Sequence, residues 1–482
     1  MYTWEILCLC VSVLCFVVIG LFRTIFDLKY HLPHGPPPIP YFGSFSLISS
    51  RELIFKTLHK MRDWFGPIFV VYFGHSRVFI LSDAKEIAEY FDKSVSVSDC
   101  LAPNTTEKFC HLKTNSEAYL FFRKSFKQLS EDQQDITYFV SKELDLFHVE
   151  VDERTHRPFK PKSLLDIFAT NVVTYLALHD RFDYDSPGSR QFLSLLSPKD
   201  NSSLFQRLFS LYLPTYQNPM FYHGSIMNGK SAHLQKSRLT EYVNEKVAAH
   251  SVTDTVSILD LFLCSQSESK RFSLSNEAFI TDLSEIMSFG IDSTAILTNW
   301  IIFYLSIYPD IQRKCHDSLD RVIHGDRKPN LSDRPKLKYI QAVLFEVFRA
   351  ASIVPYLINS VNGKSISVCD YDIPKNSYIV CNLWSLHHDQ FYWLNPDKFI
   401  PERWLNPKGD LLYHSSHFLP FGFGRSKCLG ETLVTDIIFL FTTSLLFHYT
   451  FALADAKVSM DNSTFSNGFH CPPDYKIVIT KR

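Results

Sequence analysis

The chain has 482 residues, a length at which roughly three domains are expected. Hydrophobic residues make up 46% and charged residues 21%, which excludes a disordered protein and allows a large buried core. The formal net charge of -1 gives no electrostatic reason to expect a nucleic-acid partner. The 11 cysteines are scattered and form no CxxC pair, which favours a reducing compartment over a disulfide framework.

The N-terminus predicts a membrane anchor. No residue from Ile6 to Phe22 is charged, and as a helix this run spans about 26 Å, close to a thin endoplasmic-reticulum bilayer. Arg23 and Lys29 follow the run while only Glu5 precedes it, which predicts that the remaining chain faces the cytosol. Because no small-residue cleavage site follows, a transmembrane helix at 1–28 is favoured over a cleaved signal peptide. No second span is expected beyond Lys29.

The rest of the chain predicts a mainly α domain with minor β structure. Residues 29–43 include GPPPIP, which predicts a stiff extended hinge because proline lacks an amide hydrogen. No repeat or linker divides residues 44–482, so we expect one large helical domain with small sheets, against the length prior. The predicted elements are a hairpin within 67–83, helices at 164–178 and 274–305, short strands within 362–382, and a last long helix at about 429–447.

The strongest chemical signal is FGFGRSKCLG, residues 421–430, just before the last apolar helix. Cys428 at a helix N-terminus is expected to have a lowered thiol pKa, which suits a thiolate that binds iron. Gly424 would allow a tight turn and Gly430 the close approach of a flat ring, while Phe421 would shield the sulfur. A lone cysteine is more often a small buried hydrophobe, but this whole pattern is rare by chance.

A second motif, EVFR, places Glu346 and Arg349 on one helix face. Alone such a pair is usually an unremarkable surface ion pair. The segment FIPERW adds Arg403 between that helix and Cys428. One carboxylate shared by two guanidiniums would form a rigid buried node with a structural role, holding the cysteine segment to the core.

The order of these motifs resembles the cytochrome P-450 haem-thiolate monooxygenases in their microsomal form. The resemblance runs from Gly35 to the C-terminus and includes the hinge GPPPIP, GIDST, EVFR, PERW and FGFGRSKCLG. It implies the cytochrome P-450 fold, with haem b as the cofactor and Cys428 as the axial ligand of its iron. It also implies a single-pass protein of the endoplasmic reticulum membrane whose catalytic domain faces the cytosol.

The resemblance assigns an oxygen-activating helix to the segment around Gly290. Gly290 would permit a local widening of the helix, and Asp292 with Ser293 would relay protons, with Thr294 sharing the work. The alternative is that Ser293 satisfies the carbonyl four residues back. Phe289 stands where the family has a small residue, so it is expected to crowd the substrate pocket.

Haem propionates need cationic partners, and the resemblance points to Arg123, with Tyr119 in the place of a tryptophan. Two expected cations are replaced, one by Ser426 and one by the pair Asn359 and Ser360. Arg425 is expected to compensate for the first.

The leading function is the insertion of one oxygen atom from O2 into a small apolar substrate. NADPH-cytochrome P-450 reductase would supply the electrons, with cytochrome b5 left open as a further partner. A basic patch would steer an acidic reductase, although an ordinary solvated face is equally compatible. Two alternatives remain, a redox-independent isomerase or dehydratase and a non-catalytic haem- or lipid-binding protein. The patch residues are Arg123, Lys124, Lys127, Arg425 and Lys427, and the expected pocket segments are 95–117, 192–222, 354–358 and 465–473.

Overall fold

The computed structural model describes most of the chain after the N-terminal segment. The predicted anchor at 1–28 lies outside the described residues, as do Arg425 and Ser426. The described residues are 29–38, 43–44, 53–73, 76–94, 116–196, 238–249, 257–267, 274–325, 327–361, 365–375, 377–413, 416–424, 427–455, 457–466 and 468–482.

Helices dominate the described residues. A short 3-10 turn, Pro401–Trp404, follows the helix at Leu383–His387. In chain order the α-helices are α1 (Ile54–Phe65), α2 (Ala84–Ser94), α3 (Glu117–Glu131), α4 (Gln133–Asp152), α5 (Lys162–Leu178), α6 (Pro187–Leu196), α7 (238–249), α8 (Ile258–Ser267), α9 (Asn276–Ile307), α10 (Pro309–Ile323), α11 (Lys338–Ala351), α12 (Leu383–His387) and α13 (Glu431–His448).

The strands in the described ranges are short and form four small sheets. Three sheets are simple antiparallel pairs, β7 with β10, β4 with β5 and β8 with β9. The fourth has the order β1-β2-β6-β3, in which only the β2–β6 pairing is parallel. The strands are β1 (Ile68–Phe73), β2 (Ser76–Leu81), β3 (Leu357–Val361), β4 (Ile366–Val368), β5 (Tyr371–Ile373), β6 (Ser377–Cys381), β7 (Tyr449–Leu453), β8 (Thr464–Ser466), β9 (Phe469–Cys471) and β10 (Ile477–Lys481).

The contacts of the chain divide into two compact units. The smaller unit takes in 1–105, 201–227 and 355–389. Its described part contains α1, α2, α12 and the four-stranded sheet, whose strands are rich in buried β-branched and aromatic residues. Phe69, Phe79 and Ile379 lie fully buried in that sheet.

The larger unit is mostly helical and contains 106–200, 228–354 and 390–482. Its central helix is α9, which packs extensively along α5 and also contacts α11 and α13. Ser275 caps α9 by accepting a hydrogen bond from the backbone N–H of Ala278 at 3.2 Å. Pro309 opens α10, at a position where its missing amide hydrogen is not needed. Trp300 and Tyr304 of α9 are buried by this packing.

The elements predicted from periodicity are confirmed. The expected hairpin is the β1–β2 pair, and the expected helices at 164–178, 274–305 and 429–447 are α5, α9 and α13. The predicted short strands within 362–382 are β4, β5 and β6. The domain boundaries at 1–28, 29–43 and 44–482 stay predictions.

Two helices contradict the expectation that no stretch beyond Lys29 is apolar enough to span a membrane. By length and hydropathy, α9 and α13 both pass that test, so the expectation is wrong as a statement about composition. Most of the apolar window in each helix is buried by the fold. Their apolar surface is therefore used in the core of the larger unit.

Candidate active site

A buried carboxylate on α11 forms the most completely bonded polar group of the site. Neither Glu346 nor Arg349 is exposed, and the Arg349 guanidinium donates to Glu346 from Nε at 2.9 Å and from Nη2 at 2.8 Å. Arg403 donates from Nε at 3.1 Å. The backbone N–H of Ile400 and the indole N–H of Trp404 each donate at 2.9 Å. The structure therefore brings the three predicted node residues together around one carboxylate.

Aromatic contacts connect this node to the cysteine segment. On α11 the ring of Phe348 meets the ring of Phe421 edge-on at 5.5 Å, and Phe345 lies 5.7 Å from Phe418. The carbonyl of Phe421 then accepts a hydrogen bond from the backbone N–H of Cys428 at 2.8 Å. The helix that carries the buried carboxylate thus also positions the start of the cysteine segment.

Cys428 lies two residues before Gly430, the N-cap residue of α13. Gly422 and Gly424 have positive φ values of 77° and 59°, a region that residues with a Cβ avoid. After these turns, the backbone N–H of Gly430 donates a hydrogen bond to the Cys428 thiol. A Cβ on Gly430 would meet the Phe126 ring at 3.6 Å, an ordinary contact, so packing within the protein would admit an alanine there.

The protein alone does not make Cys428 acidic. Part of the residue is exposed to solvent, yet surrounding protein raises the pKa of the Cys428 thiol to about 11, chiefly by desolvation. The Gly430 hydrogen bond lowers this pKa by a smaller amount. The expectation that a helix N-terminus lowers the pKa overall is therefore wrong, because burial outweighs the amide. A thiol that coordinates a metal loses its proton to the metal's charge instead.

The predicted basic residues on α3 differ in their ion pairing. Arg123 is exposed and forms no ion pair with any residue that the structure describes, whereas Lys127 pairs with Glu131 at 3.7 Å. Tyr119 is buried in the core of the larger unit, and Ser116 caps its backbone N–H at 3.1 Å. Arg123 is therefore an exposed cation, and Lys127 is partly neutralised.

Beside the cysteine, Lys427 forms an ion pair with Glu431 at 2.6 Å. Glu431 is the first residue of α13, where a carboxylate in the first turn is favourable. Among the described residues, Lys427 is therefore the basic residue next to Cys428 in the chain, and Glu431 partly neutralises its charge.

The predicted oxygen-activating residues lie on α9, which is a regular α-helix through Gly290. A Cβ on Gly290 would meet Val173 of α5 at 3.5 Å, so the glycine lies against that helix at ordinary contact distance. The Ser293 hydroxyl donates to the Gly290 carbonyl at 3.2 Å, three residues back. Thr294 is buried and its carbonyl accepts from Thr298 at 2.9 Å. Ser293 is therefore the partly exposed alcohol of this segment.

Phe469 and Cys471 lie beside this part of α9. The sequence predicted them only as members of the pocket segment 465–473. The ring of Phe289 packs on the ring of Phe469 in β9, with centroids 4.9 Å apart. The pKa of the Cys471 thiol is raised to about 11, mainly by burial, and the charge of nearby Asp292 adds to the shift. No sequence signal pairs residues so far apart. At the carboxylate node, Trp404 was also missed, although it stands next to Arg403 in PERW.

Asn359 lies in β3 of the smaller unit, opposite Ile379 of β6. Its side chain is 3% exposed, and its amide nitrogen has no hydrogen-bond partner within the described ranges. The side-chain amide of Asn359, which stands in the place of the expected cation, is thus a buried donor with no acceptor among the described residues.

Comparison with known proteins identifies the family. The family model of cytochrome P450 matches residues 33–479, and the chain therefore belongs to the cytochrome P450 family. Cytochrome P450 2U1 of Rattus norvegicus is 26% identical over 94% of this chain and 91% of its own length. Cytochrome P450 2D6 of Homo sapiens is 26% identical over 91% of this chain and 92% of its own. Cytochrome P450 2C5 of Oryctolagus cuniculus is 25% identical over 92% and 93%.

Family membership defines the general chemistry. The protein is an oxidoreductase of the monooxygenase class, and members of its family bind haem b through a cysteine thiolate. The residues present fit this cofactor. Cys428 offers the required sulfur donor on a tightly turned segment that the Gly430 amide supports, and Arg123 offers a cation with no described partner.

Proposed function

We propose that the protein is a haem-thiolate monooxygenase that uses Cys428 as the proximal ligand and oxidises a small apolar substrate with electrons from an NADPH-dependent reductase. The observation that carries this proposal is the geometry of the cysteine segment. The sulfur lies at the start of α13, receives the Gly430 N–H, and is connected through Phe421 to the helix of the buried carboxylate.

When bound through a thiolate, haem supplies the activation of O2 that allows one oxygen atom to be inserted into a C–H bond. Cys428 would hold its sulfur still, because its backbone N–H is fixed on Phe421 and its side chain receives the Gly430 amide. Arg123 would pair with a propionate, as its exposed guanidinium makes no ion pair with a described residue. Arg425 would act with it, but its position lies outside the described residues.

On α9, Asp292 and Ser293 would hold and pass protons to the reacting oxygen. Both are partly exposed, whereas Thr294 is buried, so we assign the relay to the first two. The Ser293 hydroxyl donates to the Gly290 carbonyl, and rotation about its Cα–Cβ bond would redirect that proton.

The cellular setting is also a proposal. We infer an endoplasmic reticulum membrane protein with an anchor at 1–28 and a catalytic domain at 44–482 on the cytosolic side. The charge distribution around the apolar N-terminal run supports this orientation. NADPH-cytochrome P-450 reductase, with cytochrome b5 as a further candidate, would dock on the basic surface around Arg123, Lys124 and Lys427.

The test is the carbon-monoxide difference spectrum of the reduced full-length protein, together with its haem content. Cys428→Ser should abolish the absorption band that is characteristic of thiolate ligation. Cys264→Ser is the matched control, because Cys264 is also exposed but lies on α8. Addition of NADPH and a reductase should then reduce the wild-type iron. A thiolate band that survives Cys428→Ser would refute the assignment of the ligand.

A further inference from the structure

A small apolar cavity lies in the core of the larger unit and shares no lining residue with the site described above. Ten described residues line it, and every one of them is apolar. They come from α4, α5, α9, α13, the β7–β10 sheet and the segment between α4 and α5. The centre of a water-sized molecule can move through about 10 Å³ there, which is close to the smallest space that holds one guest molecule.

Hydrogen bonds and aromatic packing fix the walls of this cavity. Phe159 and Ile477, which both line it, exchange backbone hydrogen bonds of 3.0 and 2.9 Å, and β10 also pairs with β7. On α4 the ring of Phe147 meets the ring of Phe168 edge-on at 5.6 Å. Because these contacts connect strand, loop and helix, the surrounding core cannot fill the space without breaking some of them.

The lining determines which guest the cavity accepts. A buried water molecule needs several polar partners, and none of the lining side chains supplies one. Water would lose its hydrogen bonds on entering, whereas an apolar molecule has none to lose. Phe159 is partly exposed, whereas Val151, Ile302 and Ile477 are at most 2% exposed. The cavity therefore favours an apolar guest, and Phe159 is the part of its wall that reaches solvent.

We propose that this cavity is a binding site for one small apolar gas molecule of the size of O2. O2 is apolar and diatomic, so it matches both the lining and the volume, and it is a co-substrate of the monooxygenase class. Ile302 of the cavity wall follows Asp292 on α9 by ten residues, about 15 Å along the helix. The cavity is thus a second place for O2, separate from the proposed reaction site. Binding there is reversible and needs no haem, so the inference does not depend on the proposed function.

The test uses the ferric full-length holoenzyme labelled at the δ1 methyl groups of isoleucine. NMR relaxation of these groups is measured under O2 pressure and under the same pressure of N2. O2 is paramagnetic and N2 is not, while the haem iron contributes equally under both gases, so the difference reports how close O2 stays to each methyl group.

Ile302, Ile477 and Ile479 line the cavity. Ile301 and Ile340 are the matched controls, because they are at most 1% exposed in the same unit and do not line it. The relaxation difference should be at least about threefold larger at the three lining methyl groups, since an apolar guest that is held in a cavity stays in contact with its walls.

Filling the cavity provides a second measurement. Val151→Ile adds one methyl group from the α4 wall, and it should lower the relaxation difference at the three lining methyl groups to the level of the controls. Val140→Ile is the matched control variant, since Val140 is also buried on α4 but does not line the cavity. Val140→Ile should lower the midpoint of urea denaturation through overpacking and leave the relaxation difference unchanged. Val151→Ile should not lower that midpoint, because the added group enters empty space.

Larger relaxation differences at the lining methyl groups, which disappear in Val151→Ile, would support the site. Equal differences at the lining and control groups would show that O2 enters the core without preference, and would overturn it. This comparison needs only the wild type, so it holds even if Val151→Ile does not fold. A difference that persists in folded Val151→Ile would place O2 elsewhere. Nuclear Overhauser effects from water to the lining methyl groups would show a hydrated cavity and would overturn the apolar guest.

Discussion

Replacing Glu346 with glutamine tests whether the buried carboxylate node stabilises the larger unit. Glutamine keeps the shape of the side chain, but it removes the negative charge and turns one acceptor into a donor. Each donor nitrogen around Glu346 lies between 2.8 and 3.1 Å from a carboxylate oxygen. The variant must therefore leave a donor facing a donor, and it leaves Arg349, which is fully buried, without its counter-charge.

The magnitude follows from burial. Removing one partner of a buried ion pair typically costs about 3–5 kcal/mol, because the remaining charge is left uncompensated. Burial lowers the pKa of Arg403 while the charge of Glu346 opposes that shift, which shows that this guanidinium depends on the carboxylate. The losses at Arg349 and Arg403 are not additive, because both arise from the same carboxylate. We therefore expect Glu346→Gln to lower the free energy of unfolding by about 3–5 kcal/mol in total.

The assay is equilibrium urea denaturation followed by circular dichroism, compared at equal haem occupancy. Glu402→Gln, in the short turn that carries Arg403, is the matched control. Glu402 pairs with Lys314 at 2.6 Å, but both side chains are about half exposed, so its loss should cost no more than about 1 kcal/mol. If Glu346→Gln loses no more stability than Glu402→Gln, the node is not the strong constraint that its geometry implies.

Two further predictions concern the larger unit. Burial, and then the neighbouring His448, lower the pKa of His148 from 6.5 to about 4, so the unfolded chain binds a proton there before the folded chain does. The free energy of unfolding should therefore fall by roughly 3 kcal/mol as the pH drops from about 6.5 to about 4. His148→Gln should lack this fall, and parallel curves of unfolding free energy against pH for the two proteins would contradict the prediction. Glu143 is buried and accepts from Asn171 and from Tyr184, each at 2.7 Å. Glu143→Gln should lower the unfolding free energy by about 1–3 kcal/mol in urea denaturation, and an unchanged midpoint would show that the site rearranges to satisfy these donors.

Much of the fold was predictable because its signals are local. Hydrophobic periodicity located α5, α9 and α13, and alternating β-branched residues located the β1–β2 hairpin. The carboxylate node was also predictable, because Glu346, Arg349 and Arg403 occur in compact motifs of unusual composition. In each case a short segment contains the information that determines the outcome.

The remaining features depend on tertiary burial, which no short segment encodes. The sign of the pKa shift at Cys428 is set by surrounding protein, whose desolvating effect exceeds that of the Gly430 amide. Composition could not distinguish α9 and α13 from membrane spans, because only the packed fold shows that their apolar sides are covered. The contact of Phe289 with Phe469 likewise depends on how β9 is attached to α9.

The separation in sequence between the donors around Glu346 has a consequence for biosynthesis. Ile400, Arg403 and Trp404 follow Glu346 by 54, 57 and 58 residues, so α11 leaves the ribosome with Arg349 but well before these three further donors. Until they arrive, the charged side of α11 has to stay hydrated. Completion of this part of the core must therefore wait for the last quarter of the chain, and nascent chains that stop before Trp404 should be accessible to proteases around α11.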